Sequence, residues 1–180
     1  MAVVATGFFD GVHLGHREVI TTLVSSARKK GEEALVVTFD AHPRTVLQQD
    51  AGRLRLLTTP QERERLLLSL GVDRVETIPF SKQFASMDAE SYIRNVLMDK
   101  FKATSIILGY DNRLGSDMLG VKEIGNLCAG LGLKMEEVAP YVMPDGTTVS
   151  STRIRNSLAG GMVDYANDML GYKYMLTGVV

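Results

Sequence analysis

The chain has 180 residues, of which 45% are hydrophobic and 23% are charged, and its formal net charge is −1 at pH 7. This balance is typical of one soluble globular domain and gives no bulk electrostatic reason to bind nucleic acid or an anionic membrane. The single cysteine, Cys128, cannot form an internal disulfide, no apolar run approaches the ~20 residues of a membrane span, and no basic signal leader opens the chain. We therefore expect a cytoplasmic protein that binds neither nucleic acid nor membranes.

The first predicted elements are a short buried strand over residues 3–6 and an amphipathic helix over residues 17–30, which Gly31 ends as a C-cap. Between them stands the sequence Gly-Phe-Phe-Asp-Gly-Val-His-Leu-Gly-His, residues 7–16. A strand, a glycine-rich turn and a helix in succession can place a phosphate at the helix N-terminus, although the dinucleotide fingerprint G-x-G-x-x-G is absent. The layout therefore predicts an anion site at this turn.

Two histidines, His13 and His16, flank Gly15 where this helix is predicted to begin. Gly15 has no side chain, so an anion can approach the backbone, and imidazoles there can donate hydrogen bonds to a phosphate and stabilise charge that grows during a reaction. Two other interpretations are open: a helix start that carries two histidines by chance, and a metal site, for which no third ligand stands nearby. The strand and the glycines around the pair favour the phosphate site.

The rest of the chain alternates between strands and helices. Further strands are predicted over residues 34–39, 74–79, 105–109 and 134–138. Further helices are predicted over residues 60–70 and 121–131, with two more that open at residues 86–88 and 149–155. This alternation predicts a Rossmann-like α/β fold, an open parallel sheet of about five strands with helices on both faces.

Ligands of such sheets bind beyond the carboxyl ends of the strands, near the point where the strand order reverses. The chemically distinctive residues follow this rule, because the histidine turn follows the first strand, His42 the second and Asp111 the fourth. The last two have a structural alternative, since His42 could brace the loop before Pro43 and Asp111 could cap the loop over residues 109–120.

A second anion site is predicted at residues 149–155, Val-Ser-Ser-Thr-Arg-Ile-Arg. The hydroxyls of Ser150, Ser151 and Thr152 can donate, Arg155 supplies a rigid fork, and the helix end adds partial positive charge. The alternative is a serine N-cap followed by arginines that face solvent. Together with the histidine turn, these residues indicate the two ends of one triphosphate site.

Several of these motifs resemble those of one enzyme family. The H-x-G-H turn resembles the signature of the nucleotidyltransferase superfamily, whose members transfer AMP or CMP from a nucleoside triphosphate. The longer sequence over residues 7–16 resembles the opening of bacterial FAD synthetases. Segments similar to that family's other motifs follow in order at residues 38–43, 57–73, 109–115 and 149–155, so the resemblance covers essentially the whole chain.

The chain departs from the family pattern in two places. Asn112 and Leu114 stand where the family's flavin-side loop often has aromatic residues, and Met118 stands where a basic residue is usual. Family members usually carry a C-terminal riboflavin kinase barrel, whereas only residues 172–180 of this chain resemble its entry. We therefore expect an adenylyltransferase domain over residues 1–171, followed by the start of that barrel or a linker. Residues 175–180 are expected to form a strand without partners, and the 180 residues are expected not to convert riboflavin to FMN.

The resemblance implies an FMN adenylyltransferase, which transfers AMP from ATP to FMN and yields FAD and pyrophosphate, with Mg²⁺ bridging phosphate oxygens and no protein side chain assigned as its ligand. It implies catalytic roles for His13, His16 and Arg155, and flavin binding by His42, Asp111 and Arg113. The residues implied for ATP binding are Gly7, Phe8, Phe9, Asp10, Gly11, His13, Gly15, His16, Ser150, Ser151, Thr152 and Arg155. Two alternatives are transfer to another phosphorylated acceptor, such as phosphopantetheine, and a flavin- or nucleotide-binding module without catalysis. The sequence predicts no particular oligomeric state.

Overall fold

A five-stranded parallel sheet forms the centre of the molecule, which we describe from a computed structural model that covers residues 1–47 and 54–177. Its strands are β1 Ala2–Thr6, β2 Glu33–Phe39, β3 Arg74–Ile78, β4 Ala103–Gly109 and β7 Lys134–Val138. They stand in the order β3-β2-β1-β4-β7. A separate antiparallel ribbon consists of β5 Arg113–Leu114 and β6 Leu119–Gly120.

Helices connect the strands. They are α1 Leu14–Lys30, α2 Pro43–Leu47, α3 Pro60–Ser69, α4 Lys82–Ala85, α5 Ala89–Ser91, α6 Val121–Gly130, α7 Ser151–Ala159 and α8 Val163–Leu170, and a π-helix, Tyr92–Lys100, continues α5. Within the two described ranges, no helix is both long and apolar enough to cross a membrane.

The sheet is covered on both faces, as its nearly continuous apolar strands predict. Because successive side chains of a strand point to opposite faces, Val4 of β1 packs into one core while Val3 and Ala5 pack into the other. Both cores lie between the sheet and helices, and most of their members are fully buried. The predicted Rossmann-like α/β fold is therefore confirmed.

Most predicted elements are present, and α3 shows why its start could be predicted. Thr59 caps the helix, Pro60 takes the first position, and a capping box joins Thr59 and Glu62: each residue's side chain accepts a hydrogen bond from the other's backbone N–H, at 3.2 and 2.8 Å. Gly31 likewise ends α1 in the left-handed conformation, with φ of 65°.

The differences from the predicted elements lie in the connections and after α7, where α8 was not predicted. Helix α1 begins at Leu14 rather than Arg17, because His13 caps it. The loop predicted after β2 contains α2, which Pro43 can start because the first helical position needs no N–H donor. The loop predicted over residues 109–120 contains the β5–β6 ribbon.

A third, smaller core joins α7 and α8 to the segment before α3. Its members are Leu57, Val149, Ile154, Ala166, Met169 and Leu170. After α8, residues 173–177 form no strand, and Leu176 is largely exposed. Tyr172 instead donates a hydrogen bond from its hydroxyl to the Gly11 carbonyl at 2.6 Å. The expected strand over residues 175–180 is therefore absent up to residue 177, and its last members, Val179 and Val180, lie outside the described residues.

The strand order reverses at β1, whose neighbours are β2 on one side and β4 on the other. The segment that follows β1 leads towards β2, and the segment that follows β4 leads in the opposite direction, towards β7. A crevice therefore opens between them at the carboxyl ends of β1 and β4. The turn after β1, the loop after β4 and the start of α7 all border this crevice. The fold therefore brings the two predicted anion sites to one place.

Candidate active site

The turn after β1 is held in an unusual backbone conformation. Phe9, Gly11 and Val12 have φ values of 55°, 81° and 38°. The left-handed region is uncommon for non-glycine residues and strained for a β-branched one such as Val12. Gly11 is required for space as well, because a Cβ there would lie 2.7 Å from a methyl carbon of Leu57. The conformation of this turn is therefore maintained by its contacts with the surrounding chain.

His13 caps α1 and at the same time lines the crevice. The backbone N–H of His16 donates to His13 Nδ1 at 3.3 Å. Because Nδ1 accepts this bond, the ring proton of a neutral His13 lies on Nε2. Burial lowers the pKa of His13 to about 4, and nearby Arg155 also favours the neutral form. His13 is therefore a neutral imidazole at pH 7 that can donate from Nε2.

His16 stacks directly on His13. Their ring centroids are 3.6 Å apart at an interplanar angle of 16°, and the ring of Phe9 meets His16 edge-on at 5.3 Å. Burial lowers the pKa of His16 well below its ordinary value, with a further lowering from His13. Its Nδ1 is buried and has no hydrogen-bond partner among the described residues. The pair thus offers two neutral imidazoles at the wall of the cavity.

The start of α7 faces the histidine pair. The Ser150 hydroxyl caps the helix by accepting from the backbone N–H of Arg153 at 3.3 Å, and the Ser151 hydroxyl donates to the Asp10 carbonyl at 2.9 Å. Arg155 donates to the Asp10 carboxylate at 2.7 Å and to the Thr152 hydroxyl at 3.4 Å. Ser150 is therefore the N-cap of the structural alternative, whereas Arg155 does not face solvent freely but is held beside the cavity by Asp10 and Thr152.

Asp10 organises this part of the molecule from behind the turn. Its side chain is 3% exposed, and its carboxylate accepts hydrogen bonds from the backbone N–H groups of Leu57 and Thr58 as well as from Arg155. Burial raises the pKa of Asp10, against the lowering effect of these donors. The carboxylate therefore joins the turn, α7 and the segment before α3.

A cavity of about 250 Å³ lies between these elements. Of the twelve residues predicted to bind ATP, all except Asp10 and Gly11 line it. Gly11 is also turned inward, since its N–H donates to the Thr58 hydroxyl at 3.1 Å and its carbonyl accepts from Tyr172. Asp10 and Gly11 thus support the predicted site from behind rather than facing the cavity.

A second cavity, of about 550 Å³, adjoins the first. Its wall is mainly aromatic and apolar: Phe39, Phe80, Phe84, Met87, Tyr92, Leu114 and Met118. Phe80 and Phe84 pack edge-on against each other at 5.6 Å and both contact Phe39. Such a wall suits a flat aromatic ligand.

His42 and Arg44 line both cavities and mark their junction. The ring of Phe8 meets His42 edge-on at 4.7 Å. Burial lowers the pKa of His42 to about 4, helped by Arg155, Arg44 and Arg63. The Arg44 backbone N–H donates to His42 Nδ1 at 3.1 Å, which leaves Nε2 to carry the proton of the neutral ring.

The three residues predicted to bind flavin are only partly brought together. His42 stands at the junction and Arg113 lines the aromatic cavity, whereas Asp111 lines the smaller, polar cavity and is exposed. The sequence analysis missed Phe80, Phe84 and Met87. The sequence pattern that could have identified them is the pair of phenylalanines, four residues apart, just beyond the carboxyl end of β3.

Acidic side chains are scarce at the site, and this bears on how magnesium could bind. Within residues 1–47 and 54–177, no group of three or more His, Cys, Asp or Glu side chains could hold a metal ion. Asp111 is the one acidic side chain among the described residues that line the polar cavity. This donor set fits an ion that is bound mostly by substrate phosphates, as Mg²⁺ commonly is.

The sequence profile described as FAD synthetase matches residues 1–153. Proteins named bifunctional riboflavin kinase/FMN adenylyltransferase from Listeria monocytogenes and Bacillus subtilis are 32% and 31% identical over 99% of this chain. The chain spans about 56% of the length of each of them. A Listeria monocytogenes protein named FAD synthetase is 29% identical and is covered over 72% of its length.

Two solved structures are similar to this chain in fold. A structure described as a macrolide-efflux protein from Streptococcus pneumoniae is 32% identical, with a TM-score of 0.85 over 95% of this chain and 55% of that one. A pantothenate synthetase from Thermus thermophilus is 16% identical, with a TM-score of 0.54 over 95% of this chain and 75% of that one, which shows a shared fold.

Proposed function

The chain belongs to the FAD synthetase family, and we propose that it is an FMN adenylyltransferase that transfers AMP from ATP to FMN. The observation that carries this proposal is the pair of adjoining cavities, one polar and bordered by two helix N-termini, the other aromatic. A nucleoside triphosphate fits the polar cavity and a flavin ring fits the aromatic cavity, with the reacting phosphates at the junction of the two cavities. We assign the activity to a domain over residues 1–171 and place the enzyme in the cytoplasm.

In the proposed reaction, a phosphate oxygen of FMN attacks the α-phosphorus of ATP. The new P–O bond forms as the bond between the α-phosphorus and the α,β-bridging oxygen breaks, and that oxygen leaves with pyrophosphate. FMN phosphate is already an anion near neutral pH, so no general base is needed. Catalysis then depends on in-line positioning and on stabilising charge on the transferring phosphoryl group.

His13 and His16 are the proposed donors to the α-phosphate. His13 donates from Nε2, because its Nδ1 is occupied as the cap of α1. His16 Nδ1 has no hydrogen-bond partner within the described structure, so the ring keeps a nitrogen that no protein group occupies. Neutral donors strengthen their bonds as negative charge grows, without first requiring a proton from solvent.

The start of α7 is the proposed site of the departing pyrophosphate. Ser150, Ser151 and Thr152 line the cavity, and the fork of Arg155 is fixed by Asp10 and Thr152. A guanidinium held in place loses little freedom when it binds a phosphate in a bidentate manner. Mg²⁺, when bound with ATP, would neutralise phosphate charge, and Asp111 is the carboxylate available to it.

The aromatic cavity is the proposed site of the isoalloxazine ring. Phe39, Phe80 and Phe84 form an edge-to-face cluster on its wall, and Arg113 supplies a charged group at its rim. Phosphopantetheine, the other acceptor considered, is a flexible chain without an aromatic ring and gains little from such a wall.

The test is an acceptor comparison with the purified protein, ATP and Mg²⁺. Parallel reactions contain FMN, phosphopantetheine or riboflavin, and products are separated by chromatography. We expect FAD and pyrophosphate with FMN and no adenylylated product with the other two. If only phosphopantetheine is adenylylated, the acceptor is phosphopantetheine and not FMN. If the protein binds flavin but forms no product, it is a binding module without catalytic activity.

A further inference from the structure

Arg63 is a fully buried cation that the proposed chemistry does not use. It lies on α3, and 1% of its surface is exposed, although the neighbouring Glu64 and Arg65 of the same helix are exposed. It lines neither cavity. A charged side chain enclosed in this way is rare unless it is paired or has a function.

Arg63 contacts one lining residue of each cavity, on the side of that residue that faces away from the cavity. Arg63 Nη2 donates to the Phe39 carbonyl at 2.7 Å, at the last residue of β2, and Phe39 lines the aromatic cavity. The Arg63 guanidinium carbon lies 4.2 Å from the centroid of the Phe8 ring, and Phe8 lines the polar cavity.

The same contacts extend to the junction. Phe8 meets His42 edge-on at 4.7 Å, and His42 borders both cavities. The Thr38 hydroxyl also donates to the Phe8 carbonyl at 3.2 Å, so the turn after β1 is tied to β2 at its backbone as well. The Arg63 guanidinium thus contacts one residue of each cavity wall directly and reaches His42 at their junction through Phe8.

Stability alone is a poor explanation for this arrangement. Among the described residues, Arg63 Nε and Nη1 have no hydrogen-bond partner although both are buried. Burial also lowers the pKa of Arg63, although the nearby charges of Asp10 and Asp40 act in the opposite direction. Buried ion pairs can often be replaced by apolar residues of similar volume without loss of stability, and a cation with unused N–H groups is still less favourable.

We propose that Arg63 is a positioning residue for the transfer reaction, which sets the spacing between the wall that binds ATP and the wall that binds the acceptor. It acts through the Phe8 ring and the Phe39 carbonyl, and it touches neither substrate. This inference rests on the proposed function, because it concerns the distance between the two reacting phosphates. A displacement on the order of 1 Å is enough to lower the rate of a positioned reaction about 100-fold.

The experiment compares Arg63→Met, Arg63→Lys and a control, Arg65→Met, which removes an exposed arginine from the same helix. Steady-state kinetics give kcat and both KM values, and thermal unfolding checks the fold. For Arg63→Met we expect kcat to fall about 30- to 100-fold while the KM values for ATP and FMN stay within about threefold, because each wall alone still binds its substrate. Arg63→Lys should recover most of kcat, since an ammonium group can contact Phe39 and Phe8.

The outcomes separate the two proposals. If wild-type protein forms no FAD, the proposed function and this inference both fail. If wild-type protein forms FAD and Arg63→Met retains the kcat of Arg65→Met, the function stands and the positioning role is wrong. Equal losses of kcat in the methionine and lysine variants, or a rise in both KM values with a lower unfolding temperature, would show a merely structural role. If Arg63→Met does not fold, Arg63→Gln decides by the same measurements.

Discussion

Asp10 and Arg155 are 145 residues apart in the sequence and form an ion pair at 2.7 Å, with 3% and 17% of their side chains exposed. The pair joins the turn after β1 to the start of α7, the two segments that border the polar cavity. It orients the guanidinium fork before any ligand arrives. Another Arg–Asp pair, Arg28 and Asp73, lies on the surface and serves as a comparison.

Replacement of Asp10 by Asn should affect both stability and ATP use. The carboxamide can still accept from the backbone at Leu57, but Arg155 loses its ionic partner, so we expect the free energy of unfolding to fall by about 2 kcal/mol and the KM for ATP to rise about tenfold. Urea unfolding and steady-state kinetics measure the two effects. The control is Asp73→Asn, whose exposed pair should contribute less than about 1 kcal/mol. Equal effects of the two variants would contradict the role of Asp10.

The stability of the protein should fall as the pH is lowered from about 6.5 to about 4. The pKa of His13 is about 4 in the folded state, against 6.5 as its ordinary value. The unfolded chain therefore binds more protons in this window, and each such group weakens folding by up to about 1.4 kcal/mol per pH unit. His16 and His42 shift in the same direction.

The variant His13→Asn isolates the share of His13 in this pH dependence. Asparagine is a good N-cap but does not titrate, so α1 should stay capped while the slope of unfolding free energy against pH becomes smaller. Urea titrations at several pH values between about 5 and 7 measure both slopes. Identical slopes for the variant and the wild type would mean that His13 does not titrate as described.

Loss of the His16 side chain should affect the rate and leave the fold intact. In the described structure its Nδ1 has no hydrogen-bond partner, and its ring packs against those of His13 and Phe9. Since its proposed bond forms with the α-phosphate, we expect His16→Ala to lower kcat by about 100-fold or more with little change in unfolding temperature. A folded variant with normal turnover would remove His16 from the catalytic residues.

The aromatic cavity makes a separate prediction about the acceptor. Phe84→Ala removes one aromatic ring from the wall of the cavity, and loss of an aromatic contact of about 1–1.5 kcal/mol should raise the KM for FMN about 5- to 10-fold. The KM for ATP should not change, because Phe84 does not line the polar cavity. Steady-state kinetics with each substrate varied in turn measure this. An effect on ATP alone would mean that the cavities are assigned the wrong way round.

Much of the fold could be predicted because its signals are local. Continuous apolar runs predicted the buried parallel strands, and Thr59, Pro60 and Glu62 predicted the start of α3 from hydrogen bonds within one turn. Both segments proposed as anion sites could likewise be picked out, because each combines a helix start with donors adjacent in sequence, and the fold brings both to one cavity. The connections were less predictable, because α2 and the β5–β6 ribbon are too short to give a periodic pattern.

The support behind the site could not be predicted, because it depends on contacts between distant parts of the chain. Arg63 occurs in a helix with charged residues on both sides, and nothing in that pattern distinguishes it from the exposed Arg65. Asp10 looks like one more polar residue of the turn until the fold brings Arg155 and Leu57 to it. The aromatic cavity likewise forms only when Phe39 and Phe84, from separate segments, pack together.

The central claim is that AMP is transferred from ATP to FMN, and the most direct measurement follows the phosphorus atoms. The purified protein is incubated with FMN, Mg²⁺ and ATP that carries ³²P at either the α- or the γ-position, and the products are separated. We predict that the α-label enters FAD and that the γ-label leaves as pyrophosphate. Label from the γ-position in a flavin, or α-label that remains entirely in ATP while FMN is bound, would contradict the account.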